Sequence, residues 1–297
     1  MSSDEQTRGQ WAGYGALLIA IAGIAWSAIF IRWSAVPGPT SAFYRVFIAS
    51  LVLVPWWSIR QLMGGAQTKG LTQQSTLLAL GGGIFFGLDL ALYNTAVMKT
   101  TATMATLLGN NSPIIVGIGS WVIFKRKPQR RFWIGLTLAM AGCAGVMVTA
   151  VGKGSSGGDF TGNLMALGAA VFFAGYLLTT EHVREEMDTL TFSTIAVVGS
   201  VLTILVVCLL LGTPLSGFTG KTWAALLGLG LISQLGAYLG LAYALGHLPA
   251  TITSVGLLSQ VPLTAMLAVP LLGEPLTVPY LIGAALVLTG IYIVNSK

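Results

Sequence analysis

Long apolar runs, more than any other feature, limit what this chain can fold into. Ten of them, each of about 20 residues, lie at 12–33, 42–60, 76–98, 102–124, 132–151, 162–180, 190–212, 222–246, 250–272 and 277–295. A helix of about 20 apolar residues crosses the hydrocarbon core of a bilayer. Charged residues make up only 8% of the chain, against about 25% in soluble proteins. The runs therefore predict an all-α integral membrane protein with ten transmembrane helices.

The chemistry-bearing residues argue against several classes of protein. The sequence lacks the Gly-x-x-x-x-Gly-Lys-Ser/Thr loop of ATPases and the His-Glu-x-x-His motif of metalloproteases. Its two cysteines, Cys143 and Cys208, lie inside apolar runs and are too few for a metal cluster. The net charge of +6 comes from basic residues near the ends of the runs, which indicates membrane orientation and not nucleic-acid binding. We expect no catalytic residue, metal, cofactor, nucleotide or nucleic-acid partner.

Basic residues are divided unequally between the two faces of the predicted helix bundle. Ten lie on the face that holds the N-terminus: Arg8, Arg60, Lys69, Lys125, Arg126, Lys127, Arg130, Arg131, Arg184 and Lys297. Four lie on the opposite face: Arg32, Lys99, Lys153 and Lys221. Because cytoplasmic loops carry the excess of Lys and Arg, the pattern predicts a multi-pass protein of the inner (plasma) membrane with both termini cytoplasmic. His247, after the eighth run, is assigned to the outside.

The chain also contains an internal repeat with a spacing of about 148 residues. The matching pairs are Ala96 and Ala244, Gly135 and Gly283, Gly142 and Gly290, and, one residue further apart, Pro113 and Pro262. This spacing predicts two five-helix repeats, residues 1–151 and 162–297, joined by a linker at 152–161. Five is odd, so the second repeat enters the membrane inverted relative to the first. Secondary transporters commonly have this architecture, with the substrate site near the midplane between the repeats.

Several segments resemble a known family of membrane proteins. They are Ala42-Phe43-Tyr44-Arg45, Ser259-Gln260-Val261-Pro262, Gly273-Glu274-Pro275-Leu276, Gly283 and Gly290. With the paired five-helix units, they resemble the EamA-type transporters of the drug/metabolite transporter superfamily. The first repeat departs from the pattern, because Lys125-Arg126 stands where the second has Gly-Glu. The resemblance implies transport of small metabolites, such as amino acids, purines, vitamins, sugars or drugs, with the YddG-like amino-acid exporters as the nearest subgroup.

The fourth helix of each repeat contains a proline and, just before it, side-chain amides. Pro113 and Pro262 remove a backbone hydrogen bond in mid-span. They are candidate hinges, with a simple packing kink as the alternative. The amides of Asn110, Asn111 and Gln260 can donate and accept hydrogen bonds. They either line a substrate cavity or join helices inside the bundle.

Aromatic and polar residues inside the spans complete the candidate substrate site. Besides the amides, the cavity candidates are Trp26, Phe30, Phe86, Tyr93, Tyr176, Gln234 and Tyr238; packing is the alternative role for each aromatic ring. Asp89 is the only acid well inside a span, and Arg45 lies inside the second span. An ionisable residue in the membrane is a functional candidate. Asp89 is either a proton carrier, a partner for a substrate amine, or the ion-pair partner of Arg45.

These features together predict a secondary transporter that works by alternating access. Few fixed charges lie near the midplane, which favours small zwitterionic or neutral metabolites, amino acids first, moved by export or facilitated diffusion. The alternatives are an exporter of other small molecules or drugs, and a non-transporting membrane sensor or subunit. The expected partners are a small-molecule substrate and membrane lipid, and the expected assembly is a monomer or a homodimer.

Overall fold

The structure is a computed structural model that describes residues 3–63, 72–99, 108–150, 159–272 and 278–296. In these ranges every regular element is helical. The first half contains α1 (Ser3–Ser34), α2 (Gly38–Leu62), α3 (Gln73–Lys99), α4 (Ser112–Phe124) and α5 (Arg130–Ala150). The second half contains α6 (Phe160–Val183), α7 (Thr189–Leu211), α8, α9 and α10 (Val278–Asn295). Of the residues named above, Lys69, 102–107, 152–158, Gly273-Glu274-Pro275-Leu276 and Lys297 lie outside the described ranges.

Two helices of the second half are not regular α-helices throughout. α8 consists of Gly220–Gly228, a π-helical segment Leu229–Gly236 and Ala237–Leu245. α9 consists of Ala250–Gly256, a 3-10 turn Leu257–Ser259 and Gln260–Leu272. Their predicted partners in the first half, α3 and α4, lack these insertions within the described residues. Among the described residues, the π-helical and 3-10 segments therefore both lie in the second half.

The described helices have the length and composition of membrane spans. Six are long and apolar enough to cross a bilayer: Gly9–Ser34, Gly38–Leu62, Gln73–Ala96, Phe160–Val183, Thr189–Leu211 and Gly220–Leu245. Shorter apolar helices occur at Ser112–Phe124 and Leu281–Asn295. In hydrocarbon a helix satisfies its backbone polar groups internally, so these sequences form helices throughout. The chain is a multi-pass membrane protein.

Two helix starts recur along the chain at the predicted spacing. α4 begins at Ser112 and the last section of α9 begins at Gln260, 148 residues later. α5 begins at Arg130 and α10 at Val278, again 148 residues later. These two pairs of helices therefore start at equivalent positions along the chain.

α5 and α10 pack against each other through glycines. A Cβ atom built on Gly142 would lie 2.6 Å from the carbonyl oxygen of Gly283, and one built on Gly135 would collide with the carbonyl oxygen of Gly290. Small residues allow this close approach of two helix backbones. Because the residue numbers rise along α5 as they fall along α10, the two helices are antiparallel. We call this contact the glycine seam.

Other helices of the first half also pack against helices of the second half. α1 packs along α8, and α3 packs against α6 and α7. At one end of the molecule, His247 lies against Gly9 and Gly13 of α1. Its assignment to the face opposite the N-terminus is wrong, because the end of α8 and the start of α1 lie together. Eight of the predicted spans precede His247, and an even number of crossings returns a chain to the face where it began.

Candidate functional site

Arg45 lies at the centre of a buried polar cluster where three helices meet. Its side chain is 4% exposed. Its Nε donates to Oε1 of Gln234 on α8 at 2.8 Å, and its Nη1 donates to Oγ of Ser27 on α1 at 3.0 Å. Its Cζ lies 5.1 Å from the centroid of the Tyr238 ring, within the range of a cation–π interaction. These contacts fix the guanidinium plane between α1, α2 and α8.

The third nitrogen of this guanidinium is not satisfied. Nη2 of Arg45 finds no acceptor within 3.5 Å among the residues that the structure describes. The hydroxyl of Ser233, next to Gln234 on α8, is also buried without a partner there. An unmade hydrogen bond on a buried group costs about 1–3 kcal/mol, and more if the group is charged. The cluster therefore contains two hydrogen-bond donors, Nη2 of Arg45 and the hydroxyl of Ser233, that no described residue satisfies.

The π-helical segment of α8 places Gln234 opposite Arg45. Single π-turns within α-helices are frequent at functional sites, and this segment runs from Leu229 to Gly236. Gly230 brings the segment close to α2, because a Cβ built there would lie 2.6 Å from Cβ of Ile48. The close approach allows the short amide side chain of Gln234 to reach the guanidinium.

Three aromatic rings pack beside the Arg45 cluster. Phe86 lies with its ring centroid 4.8 Å from that of Tyr176 and 4.5 Å from that of Tyr238. They border a central cavity of about 20 Å³, which has room for one water molecule. Its lining is Leu53, Phe86, Tyr176, Ser193, Ala196, Val197, Gln234, Leu235, Tyr238 and Leu239. Four predicted cavity residues, Phe86, Tyr176, Gln234 and Tyr238, are therefore brought together.

A second, larger cavity lies between α1, α2, α8 and the start of α7. Its volume is about 540 Å³ and its lining is mostly apolar. It extends from Arg60 and Asp188 at one end of the molecule to Gly236 and Leu239. Leu239 also lines the central cavity, so this one side chain borders both spaces. We call the larger cavity the side crevice.

Asp89 lies on α3, one turn beyond Phe86, and is partly buried. Within the described ranges no ion pair joins it to Arg45, whose hydrogen bonds go to Gln234 and Ser27. The positive charge of Arg45 nevertheless acts on the Asp89 carboxylate through space. A basic and an acidic side chain thus lie near each other in the interior without a direct contact.

The predicted amides form a second polar contact between the halves. Nε2 of Gln260 donates to Oδ1 of Asn110 at 3.3 Å. The side chain of Asn111 turns back and donates to the carbonyl of Leu108 at 2.9 Å. Tyr93 lies beside the pair, since a Cβ built on Gly109 would meet its ring at 3.2 Å. The amide that faces Gln260 is therefore Asn110.

Both predicted hinge prolines lie at the start of a helical section. Pro113 is in the first turn of α4, directly after the turn at Asn110 and Asn111. Pro262 is in the first turn of Gln260–Leu272, directly after the 3-10 turn. Proline is accepted in a first turn because its missing N–H would have no helical partner there. A change of backbone geometry thus precedes each proline: the turn at Asn110 and Asn111 before Pro113, and the 3-10 turn Leu257–Ser259 before Pro262.

Trp26 and Phe30 lie apart from the central cavity. Their rings stack with centroids 5.7 Å apart on α1. Phe30 covers Gly228 at the start of the π-helical segment, where a built Cβ would lie 2.5 Å from its ring. Neither residue lines the central cavity. Their position on the α1–α8 contact is a packing position in this conformation.

Ion pairs join the halves at the predicted cytoplasmic end. Arg60 of α2 pairs with Asp188, which precedes α7, at 2.8 Å, and Arg126 pairs with Glu181 of α6 at 3.1 Å. Burial alone would raise the pKa of Asp188, but hydrogen bonds from Thr191 and the charge of Arg60 outweigh it and lower the pKa. The stability that Asp188 contributes is therefore present at neutral pH and is lost as the pH falls through its lowered pKa.

Sequence reasoning missed Ser27, Ser193 and Ser233, because a serine in an apolar span gives no signal of its own. The repeat spacing offered one. Ser193 follows Arg45 by 148 residues, and Gln234 follows Phe86 by 148. Three of these four positions line the central cavity, and the fourth, Arg45, bonds to one of them. Transferring each candidate to the other repeat would have found Ser193.

Comparison with known proteins agrees with this architecture. The sequence profile of the EamA-like transporter family matches residues 13–148 and again residues 160–296. An "Uncharacterized transporter YwfM" of Bacillus subtilis is 30% identical over 89% of this chain and 86% of its own length. An "Uncharacterized transporter" of Archaeoglobus fulgidus is 28% identical over 95% of this chain and 97% of its own length.

A solved crystal structure shares the overall fold. It superposes with a TM-score of 0.77 and covers 98% of both chains, at 17% sequence identity. At that identity the likeness concerns the arrangement of helices and not the substrate.

Proposed function

The chain belongs to the EamA-like transporter family, and from this premise we propose that it is a secondary carrier of amino acids that works by alternating access. Membership in a transporter family implies a small-molecule substrate and a lipid environment. The proposal adds the substrate class, small zwitterionic or neutral metabolites with amino acids foremost. It also adds the direction, export or facilitated diffusion as in YddG-like carriers, and an inner-membrane location with cytoplasmic termini.

The proposed architecture is ten transmembrane helices in two inverted repeats, residues 1–151 and 162–297. The antiparallel glycine seam supports it, because α5 and α10 begin 148 residues apart yet run in opposite directions. The contacts are also reciprocal: Gly135 meets Gly290, and Gly142 meets Gly283. Reciprocal contacts between equivalent helices are what a two-fold axis in the membrane plane produces.

One observation carries the proposed substrate class. Arg45 and Asp89 place a basic and an acidic side chain in the interior without an ion pair between them in the described structure. Charged groups inside a membrane are costly and mark substrate or ion pathways. Aromatic walls with a few polar groups are typical of small-molecule sites, and Phe86, Tyr176 and Tyr238 supply them here.

The proposed mechanism requires the central site to open. A cavity of about 20 Å³ holds one water molecule and no amino acid, so this conformation is closed around the site. The side crevice approaches the site from one end and is separated from it by Leu239. The turn before Pro113 and the 3-10 turn before Pro262 interrupt the regular α-helical hydrogen bonds and offer the backbone freedom for bending. We propose these prolines as the hinges of the opening.

The test is uptake by the purified protein in liposomes, with a panel of radiolabelled amino acids and with and without a pH gradient. We expect uptake above that of protein-free liposomes for at least one amino acid. The Asp89→Asn variant shows which role Asp89 has in transport. Its control is Glu186→Gln, in the exposed connection between α6 and α7. Loss of the pH-gradient effect with uptake retained indicates proton coupling, and loss of uptake with intact folding indicates contact with the substrate amine. Absence of uptake for every amino acid would refute the proposed substrate class.

A further inference from the structure

The guanidinium of Arg45 is held by two of its three nitrogens and leaves the third available. Gln234 holds Nε and Ser27 holds Nη1, and these partners come from α8 and α1. The Tyr238 ring lies alongside the guanidinium. Because the group is fixed from several sides, the direction of its remaining N–H bonds is set before any ligand arrives. Such preorganisation lowers the entropic penalty of binding.

Protein atoms do not satisfy the remaining nitrogen. Nη2 of Arg45 is buried and without an acceptor among the described residues, and the adjoining cavity has room for one water molecule. An oxygen that carries negative charge would remove this deficit. Arginine is the residue best suited to carboxylates, because its planar fork forms charge-assisted hydrogen bonds with them. The empty donor therefore fits a carboxylate group.

Charge balance narrows the ligand further. Arg45 is a buried cation with no ion pair among the described residues. A ligand that brings a carboxylate neutralises it, and the carboxyl group of Asp89 on α3, close enough to interact with the charge of Arg45, offers an acceptor for the ammonium group of the same ligand. An amine alone would add a second positive charge to a buried site, which is costly in a membrane. A neutral metabolite would leave Nη2 without an anionic partner.

We propose that Arg45 is the carboxylate-binding residue of the central site and that its substrates are amino-acid zwitterions, not amines or neutral metabolites. This inference rests on the proposed function and deepens it. Gln234 and Ser27 act as positioning residues, because they hold the guanidinium and do not themselves contact the carboxylate.

The first experiment uses the wild-type protein and therefore does not depend on the folding of a variant. Proteoliposomes take up the radiolabelled amino acid that is transported fastest, in competition with the same unlabelled amino acid or with its amide. The amide keeps the ammonium and the side chain but lacks the carboxylate charge. We expect the amide to require at least about tenfold higher concentration for half-inhibition, as expected for loss of a charged hydrogen bond. Equal inhibition by the two compounds would overturn the inference.

The second experiment connects the carboxylate to Arg45. Arg45→Gln and Arg45→Lys are compared with Arg131→Gln, whose exposed guanidinium contacts the backbone of Ser296. Size-exclusion chromatography in detergent selects correctly folded protein. We expect Arg45→Gln to lose at least tenfold in uptake and to bring the ratio of amide to amino-acid inhibition close to one, with a smaller loss for Arg45→Lys. A merely structural role would lower uptake and leave that ratio unchanged.

The outcomes separate the two proposals. If wild-type liposomes take up no amino acid, the proposed substrate class fails and this inference fails with it. If they take up amino acids but the amide competes equally, or if folded Arg45→Gln keeps the wild-type inhibition ratio, only the assignment of Arg45 fails.

Discussion

The glycine seam and the Arg45 cluster are both contacts between the two halves, yet they use the repeat in opposite ways. In the seam, positions 148 residues apart carry the same residue, as with Gly135 and Gly283. In the cluster they differ: Arg45 corresponds to Ser193, and Phe86 corresponds to Gln234. The same spacing thus relates identical residues at one contact and chemically different residues at the other.

The difference follows from what each contact must do. Two equivalent helices that meet across a two-fold axis need the same small residue on both sides, because each backbone approaches the other. An amino acid has no two-fold symmetry, so a site near that axis must present different groups on its two sides. Under the proposed inverted repeat and the proposed amino-acid substrate, symmetry at the seam and asymmetry at the cluster both follow from one duplicated framework around an unsymmetrical ligand.

The largest effect is expected in the seam. Gly142→Leu places a side chain where even a Cβ atom would lie 2.6 Å from the carbonyl oxygen of Gly283 and 2.7 Å from the backbone nitrogen of Val287. Overpacking of this kind typically costs about 1–3 kcal/mol, occasionally more, so we expect loss of monodisperse protein in fluorescence-detected size-exclusion chromatography. Gly145→Ala, on the same helix, meets Gly283 at an ordinary 3.7 Å and should be tolerated. Normal folding of Gly142→Leu would show that the seam does not hold the halves together.

An intermediate effect is expected in the cluster, where the two members of an equivalent pair should differ. Gln234→Leu removes the acceptor of Arg45 Nε and leaves a buried charged donor unpaired, at about 1–3 kcal/mol. Phe86→Leu keeps an apolar side chain in the cavity wall and should cost less than about 1.5 kcal/mol. Thermal unfolding in detergent measures both. A larger loss for Phe86→Leu would contradict the central role of the Arg45 hydrogen bonds.

The smallest effect separates two serines of the same cluster. Ser27→Ala removes a hydrogen bond to Arg45 and should lower stability by about 1 kcal/mol. Ser193→Ala removes a hydroxyl that has no partner among the described residues and should leave stability within about 0.5 kcal/mol. Thermal unfolding in detergent again provides the measurement. Equal effects would mean that the hydroxyl of Ser193 has a role in the closed conformation.

The sequence allowed the helices and their spacing to be predicted, because long apolar runs and repeated glycines reflect local composition. It did not separate Phe86, which borders the cavity, from Trp26, which packs on α1. Lipid is as apolar as a protein core, so hydrophobicity gives no signal for which face of a span is buried.

The hydrogen-bond partners in the site depend on tertiary contacts, which the sequence did not predict. The sequence offered both Asn110 and Asn111 beside Pro113, and the turn before α4 brings Asn110 to Gln260 while Asn111 turns back to Leu108. No local signal predicted that Arg45 would bond to Gln234 and not pair with Asp89. That choice depends on the π-helical segment, which arises where α8 packs against α1 and α2.

The π-helical segment has a mechanical consequence for α8. A wide turn holds more residues than an α-helical turn, and each residue in an α-helix accounts for about 100° of rotation. Shortening the segment by one residue would therefore turn every following side chain, Tyr238 and Leu239 included, about the helix axis. The section after the segment could exchange the residues that it presents to the centre by a screw motion, while the section before the segment stays anchored in the bundle.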